Sequence, residues 1–241
     1  MEIIPVKIQK EIEPGDNLFD LISTSTRIQD GDILVIAQKI ISKKEGRLVD
    51  LSTVTPSLLA QGISSQYQKD PRIVELILSE SKKIVRMDHG VIIVETKNGF
   101  VCANAGIDES NVKEGFATLL PVDSDLSAKA IHDEFKGKFG FHVPVIISDT
   151  FGRPFRMGQT NFAIGVCGIS PILDYAGTKD VFDRELRVTA IATADELCCT
   201  AELVMEKTSN SPVAIIRNYI FKNNDKKISE LLRPETEDLF R

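Results

Sequence analysis

Apolar residues along this chain follow two rhythms, a β-branched run with turn signals at its ends and a three-to-four-residue spacing, and the two do not alternate regularly. Met1 to Lys10 predicts a first strand. EPGD then marks a turn, and a short amphipathic helix begins at about Asn17. Asp30 to Ser42, DGDILVIAQKIIS, opens on an Asp-Gly turn and predicts a buried strand through Ser42. Thr55 to Ser79 carries helical spacing, with Pro56 in a first turn, Leu58, Leu59 and Ile63 on one face, and Val74, Leu76 and Ile77 on a second helix. His89 to Ala103 predicts a hairpin turning at Lys97-Asn98-Gly99. A helix from Ser127 to Lys138 leads into an apolar strand, Val143 to Ile147. Further on come a strand over Phe162 to Ile169, a mostly apolar helix over Val188 to Met205, a strand over Val213 to Arg217 and a charged tail of two helical turns. With no internal repeat and no βαβ rhythm, the pattern predicts an α+β fold of mixed sheets with flanking helices.

Composition narrows the classes of function. The 241 residues suffice for one large core or two small ones. Lys and Arg number 29 against 35 Asp and Glu, a net charge of -6, so general electrostatic adhesion to nucleic acid or an anionic membrane is not expected. The charged start, MEIIPVKIQKEIEPGD, is unlike a signal peptide, and no run reaches the roughly 20 apolar residues of a membrane span. A cytoplasmic protein is expected. The four cysteines form no CxxC pair, and three sit in apolar surroundings, which predicts reduced thiols in the core.

Four polar clusters carry the candidate chemistry. IISDTFGRPFRMG delivers Asp149 and Thr150 at the end of an apolar strand, and Arg153 and Arg156 follow. The carboxylate and hydroxyl are hard oxygen ligands for Mg²⁺ or Mn²⁺, and the guanidinium forks match phosphate oxygens. The same residues read equally as a cap followed by solvated arginines. NAGIDESNV places Asp108, Glu109, Ser110 and Asn111 in a turn introduced by Gly106, either an ordinary acidic turn or a ligand loop. AQKIISKKEGR ends in Ser42, Lys43, Lys44 and Arg47, a solvated basic turn or an anion receptor. MEKTSNSP, Met205 to Pro212, is a connector or a loop over a ligand. No Walker A or GxGxxG sequence is present, so a bound nucleotide would be held another way. His89 and His132 read as turn and helix-surface positions, His142 precedes a strand, and Gly165 and Gly168 read as close-packing positions.

In the order ISKKEGR, NAGIDESNV, SDTFGRPFRMG, NFAIGV and KDVFDRELRVT, the chain resembles the coenzyme F420-0:L-glutamate ligase family over nearly its whole length. The resemblance implies a single ligase-type domain over 1–241, a family-specific α+β fold with two lobes in one chain, and a homodimer. It also implies GTP as co-substrate, Mg²⁺ or Mn²⁺, an assisting K⁺, and addition of one or two glutamates to a deazaflavin precursor through an acyl phosphate. It implies that Asp108 and Asp149 ligate one divalent ion and Thr150 a second. Nucleotide contacts are implied for Gln9, Lys10, Glu11, Ile12, Gln38, Lys39, Lys43 and Asn111, and for Met205, Glu206, Lys207 and Thr208. Asp108, Asp149, Arg153 and Arg156 become the catalytic candidates. One departure stands out: Lys207 occupies the place where the family tends to have Glu or Gln as a further metal ligand, so either Glu206 serves there or the second ion is held differently. A phosphohydrolase and a non-catalytic nucleotide-binding module remain the alternative readings of the single clusters.

Overall fold

A computed structural model describes residues 1–239, so the last two positions of the expected 1–241 domain lie outside the described residues. In chain order the elements are β1 (Glu2–Val6), α1 (Leu18–Ser25), β2 (Ile33–Ala37), α2 (Gln38–Lys44), β3 (Leu48–Asp50), α3 (Leu58–Tyr67), α4 (Pro71–Ser79), β4 (Ser81–Asp88), β5 (Val91–Thr96), β6 (Val101–Ala103), β7 (Phe116–Thr118), α5 (Ser124–Phe139), β8 (Val145–Arg153), β9 (Arg156–Cys167), β10 (Leu173–Asp174), β11 (Ala190–Ile191), α6 (Thr193–Met205) and β12 (Val213–Arg217). The fold is α+β, as the pattern predicts.

The main sheet has the order β1-β12-β2-β8-β9, and only β2 and β8 run parallel, with Ala37 opposite Ser148. Ile33 to Ile36 and Val145 to Ile147 have no exposed surface, because sheet neighbours flank them and helices cover the faces. Continuous β-branched runs are the sequence mark of such strands. Helix α5 starts where Asp123 caps the Leu126 N–H at 3.0 Å and ends at left-handed Gly140. It lies so close to β9 that a Cβ on Gly165 would sit 2.4 Å from the Ser124 carbonyl oxygen. Helix α6 packs on β9, β1 and β12 through Leu197, Cys198, Ala201 and Met205. A second apolar cluster, with Ile63, Val74, Ile77, Ile92, Val94 and Ala117 at its centre, joins α3, α4, the β4-β5-β6 sheet and the β3-β7 pair. These two clusters are the cores of the two expected lobes.

Several boundaries differ from the expectation. The strand predicted through Ser42 stops at Ala37, and Gln38 to Lys44 is helical. Ile40 and Ile41 satisfy either period, but Gln38 and Ser42 hydrogen-bond one helical turn apart and both donate to the Leu119 carbonyl. Ser57 caps α3, which leaves Pro56 before the helix and not in its first turn, and Leu58 and Leu59 are exposed, the buried face being Ala60 and Ile63. β8 does not end at Asp149: it runs on to Arg153 and pairs with a β9 that begins at Arg156. Val188 is exposed, and α6 begins only at Thr193. His132 is buried rather than on the helix surface, its Nδ1 2.7 Å from the Val143 carbonyl oxygen. All four cysteines are free. No helix among the described residues is long and apolar enough to cross a membrane.

Candidate active site

A cleft of about 770 Å³ opens where the two lobes meet. The main sheet supplies one wall. Because Ala37 lies opposite Ser148 in the parallel register, the residues just beyond, Lys39 on α2 and Asp149 and Thr150 on β8, arrive together. The smaller lobe supplies the other wall through the loop after β6. Asn104, Ala105 and Gly106 adopt positive φ of 53°, 55° and 70° in succession, which reverses the chain. Left-handed backbone costs a non-glycine residue roughly 1 kcal/mol, and it persists where surrounding contacts over-determine it, as at ligand-holding loops. Here buried Ala105 and the Ile107 N–H donating to the Asn104 carbonyl (2.9 Å) hold it. Gly106 must lack a side chain, since a Cβ would lie 2.8 Å from Leu120. Asp108 is then pinned by backbone hydrogen bonds in both directions with Thr118.

The two acidic residues have different environments. Asp108 lies 2.7 Å from the Lys39 ammonium, which also donates to Ser110 Oγ at 2.6 Å, and the Ser110 N–H donates to Asp108 Oδ1 at 2.7 Å. Burial works to raise the Asp108 carboxyl, but the Lys39 and Ser110 donors outweigh it and hold it below its ordinary value. Asp149 goes the other way. Burial pushes its carboxyl from 3.8 up to about 6, and the neighbouring Asp108 charge adds to that, against the Thr150 N–H, Lys39 and Lys207. Among the described residues, no side chain is hydrogen-bonded or ion-paired to Asp149. A desolvated carboxylate beside a second carboxylate, with no cation placed directly on it, suits a divalent ion held by hard oxygen atoms. The donor set therefore fits Mg²⁺ or Mn²⁺.

Farther along the floor, Lys207 donates to Thr150 Oγ1 at 2.7 Å and lies 2.8 Å from Glu202 Oε1. At the rim, Lys43 bonds Glu11 at 2.5 Å and the Asn111 carbonyl at 2.9 Å, which ties the segment after β1, α2 and the acidic loop together.

Of the residues singled out from sequence, Lys10, Glu11, Ile12, Gln38, Lys39, Lys43, Asp108, Asn111, Asp149, Thr150, Met205, Glu206 and Lys207 line this cleft. Gln9 and Thr208 are exposed beside it and do not line it. Arg153 and Arg156 lie outside it, near the tip of the β8-β9 ribbon, with Arg153 donating to the Met157 carbonyl at 2.8 Å. Of Ser42, Lys43, Lys44 and Arg47, only Lys43 faces the cleft; Arg47 pairs with Glu80 at 2.6 Å. The structure adds Asn104, Gln159, Asn161 and Glu202 to the lining. Glu202 is one of three carboxylates on α6, with Asp195 and Glu196, and nothing local in the sequence separates it from them.

A family model described as F420-0:Gamma-glutamyl ligase matches residues 6–218. The chain belongs to this family. The span matched contains both apolar cores' main elements and every segment that lines the cleft, and it ends just past β12. Similar ligases include one named coenzyme F420:L-glutamate ligase from Methanothermobacter thermautotrophicus, 44% identical over 249 residues, covering 100% of this chain and 99% of that one. The protein of the same name from Methanocaldococcus jannaschii is 46% identical over 226 residues, covering 93% and 90% of the two chains. That from Methanopyrus kandleri is 39% identical over 246 residues, covering 100% and 98%.

Proposed function

We propose that this family member uses GTP to join L-glutamate to the carboxylate of the deazaflavin precursor coenzyme F420-0, and then adds a second glutamate through a γ-linkage. Amide formation from a carboxylate and an amine fails at neutral pH because the carboxylate repels nucleophiles and has no leaving group. The reaction proposed transfers the γ-phosphoryl group of GTP to a carboxylate oxygen of the acceptor with release of GDP. The deprotonated glutamate amine then attacks the acyl carbon, the C–N bond forms and phosphate leaves.

The observation that carries this reading is the pair Asp108 and Asp149, on opposite walls of one cleft, with Asp149 half-buried and without an ion-pair partner. A divalent ion there would offset phosphate charge during transfer. The chain's own residues supply the rest. Lys10, Lys39 and Lys43 bring three ammonium groups to the lining of an otherwise acidic protein, positioned to meet a triphosphate. Gln38 Oε1 is buried without a hydrogen-bond partner at the same wall, an acceptor available to a donor on the nucleotide. Arg153 and Arg156 fit a role at the ribbon, on the anionic tail of the acceptor, better than one on the phosphates. The same reading carries a homodimer, which sedimentation checks.

Mass spectrometry of the deazaflavin precursor incubated with the full chain, GTP, Mn²⁺ and glutamate tests the proposal. Glutamyl mass increments that vanish without GTP are expected. Phosphate release from GTP that needs neither glutamate nor acceptor would instead mark a phosphohydrolase, and tight GTP binding without turnover would mark a binding module.

A further inference from the structure

Thr150 belongs to a closed ring of polar side chains. Its hydroxyl donates to Asn161 Oδ1 at 2.7 Å, and Asn161 Nδ2 donates to Glu202 Oε2 at 3.0 Å. Glu202 Oε1 lies 2.8 Å from Lys207 Nζ, which donates back to Thr150 Oγ1 at 2.7 Å. Each of the three donor groups in the ring, Thr150 Oγ1, Asn161 Nδ2 and Lys207 Nζ, thus meets an acceptor within it. The backbone is bent to make this possible: α6 ends at Met205, and Glu206, with φ 50° and ψ 171°, turns the chain so that Lys207 folds back over the last turn of the helix toward β8. A glutamate side chain in that conformation is strained, so the turn is maintained by what it positions.

An ammonium at this point acts as a cation. It is a compact point charge with three donors, and it reaches two oxygen groups, one of them a carboxylate, while its charge also bears on Asp149. We propose that the Lys207 ammonium is a resident cation of the cleft, filling the place beside Thr150 and Glu202 that a second free ion would otherwise occupy, so that one divalent site remains, at Asp108 and Asp149. The inference rests on the ligase reading. The residue expected at this position was a neutral or acidic metal ligand, which would leave Thr150 and Glu202 as oxygen donors with no positive charge between them. Lysine supplies that charge by covalent tether, and a divalent ion a few ångströms from it would be repelled. Lys39 differs in kind. If an ion displaces it from Asp108, it keeps Ser110 as a partner, whereas both side-chain partners of Lys207 lie at the second place itself.

The test counts Mn²⁺ bound per chain by equilibrium dialysis, with a saturating non-hydrolysable GTP analogue, for the unaltered protein, Lys207→Gln and Lys207→Glu. Lys207 is 58% exposed, so both variants are expected to fold, and matched melting temperatures check this. One ion in the unaltered protein and two in each variant are expected. Lys207→Ala should lose ligation rate at least tenfold and recover part of it with methylammonium, which a role in packing alone does not give. Two ions in the unaltered protein, or a count of one that stays at one in both folded variants, would overturn the inference, and glutamyl mass increments from the unaltered protein would leave the ligase reading intact. No nucleotide-dependent Mn²⁺ binding in any variant, with no glutamyl mass increment, would overturn both.

Discussion

Replacing Asp149 with Asn should make the metal-free protein more stable while removing its response to metal. The carboxyl is raised from 3.8 to about 6 in the folded state, chiefly by burial, so the folded chain holds that proton more tightly than the unfolded chain does. A group raised in this direction contributes stability that is fully present below pH 3.8 and is lost as pH rises through about 6. At about 1.4 kcal/mol for each pH unit, ionised Asp149 costs about 3 kcal/mol at pH 7.5, and roughly half of that at pH 5. Asparagine keeps the shape without the charge. For a chain of this size, about 3 kcal/mol corresponds to a melting temperature higher by roughly 6–12 °C. Differential scanning fluorimetry in chelator at pH 7.5 and pH 5 would show the gain and its reduction by about half. Added Mn²⁺ should then raise the melting temperature of the unaltered protein and not of the variant. An Asn variant that melts lower than the parent at pH 7.5, or a gain that is the same at both pH values, would refute the claim that Asp149 is an uncompensated carboxylate awaiting a cation.

Other substitutions probe the frame around that carboxylate. Gly165→Ala places a methyl group 2.4 Å from a backbone oxygen of α5, which cannot yield as a side chain tip could, and should cost about 3 kcal/mol in a urea melt. Arg217 grips Asp32 through two hydrogen bonds of 2.8 and 2.6 Å, and Asp32 is 1% exposed. Arg217→Met should therefore cost about 3–5 kcal/mol by chemical denaturation, and adding Asp32→Asn should restore part of it. Lys43→Met should weaken binding of a fluorescent GTP analogue by roughly 10–100-fold, through loss of a charged donor worth about 1.5–3 kcal/mol, and a change of less than twofold would remove Lys43 from the nucleotide site.

How far each of these features was legible depends on the range of the interaction that defines it. β2, β8 and β12 could be read because a strand covered on both faces leaves a continuous apolar run in the sequence, a local record of a tertiary fact. The switch from β2 to α2 could not, since Ile40 and Ile41 suit both periods and the deciding contact, Gln38 and Ser42 to the Leu119 carbonyl, lies about 80 residues away. Asp108 and Asp149 were visible because each sits among oxygen-bearing neighbours in a short stretch beside a glycine or an apolar strand. Arg153 and Arg156 shared a motif with Asp149 but not its location: β8 continues past Asp149 instead of turning, and the extended ribbon carries both arginines away from the cleft. Asn161 and Glu202 are the reverse case. Each is one of several polar residues in its element, with no local feature to single it out, and each acquires meaning only through the other, 41 positions apart, and through Lys207, which closes their ring on Thr150. Read alone, Lys207 marks a missing metal ligand. Beside Glu202 and Thr150 it has a positive role of its own, which is why a residue that departs from a motif has to be judged by its contacts across the fold.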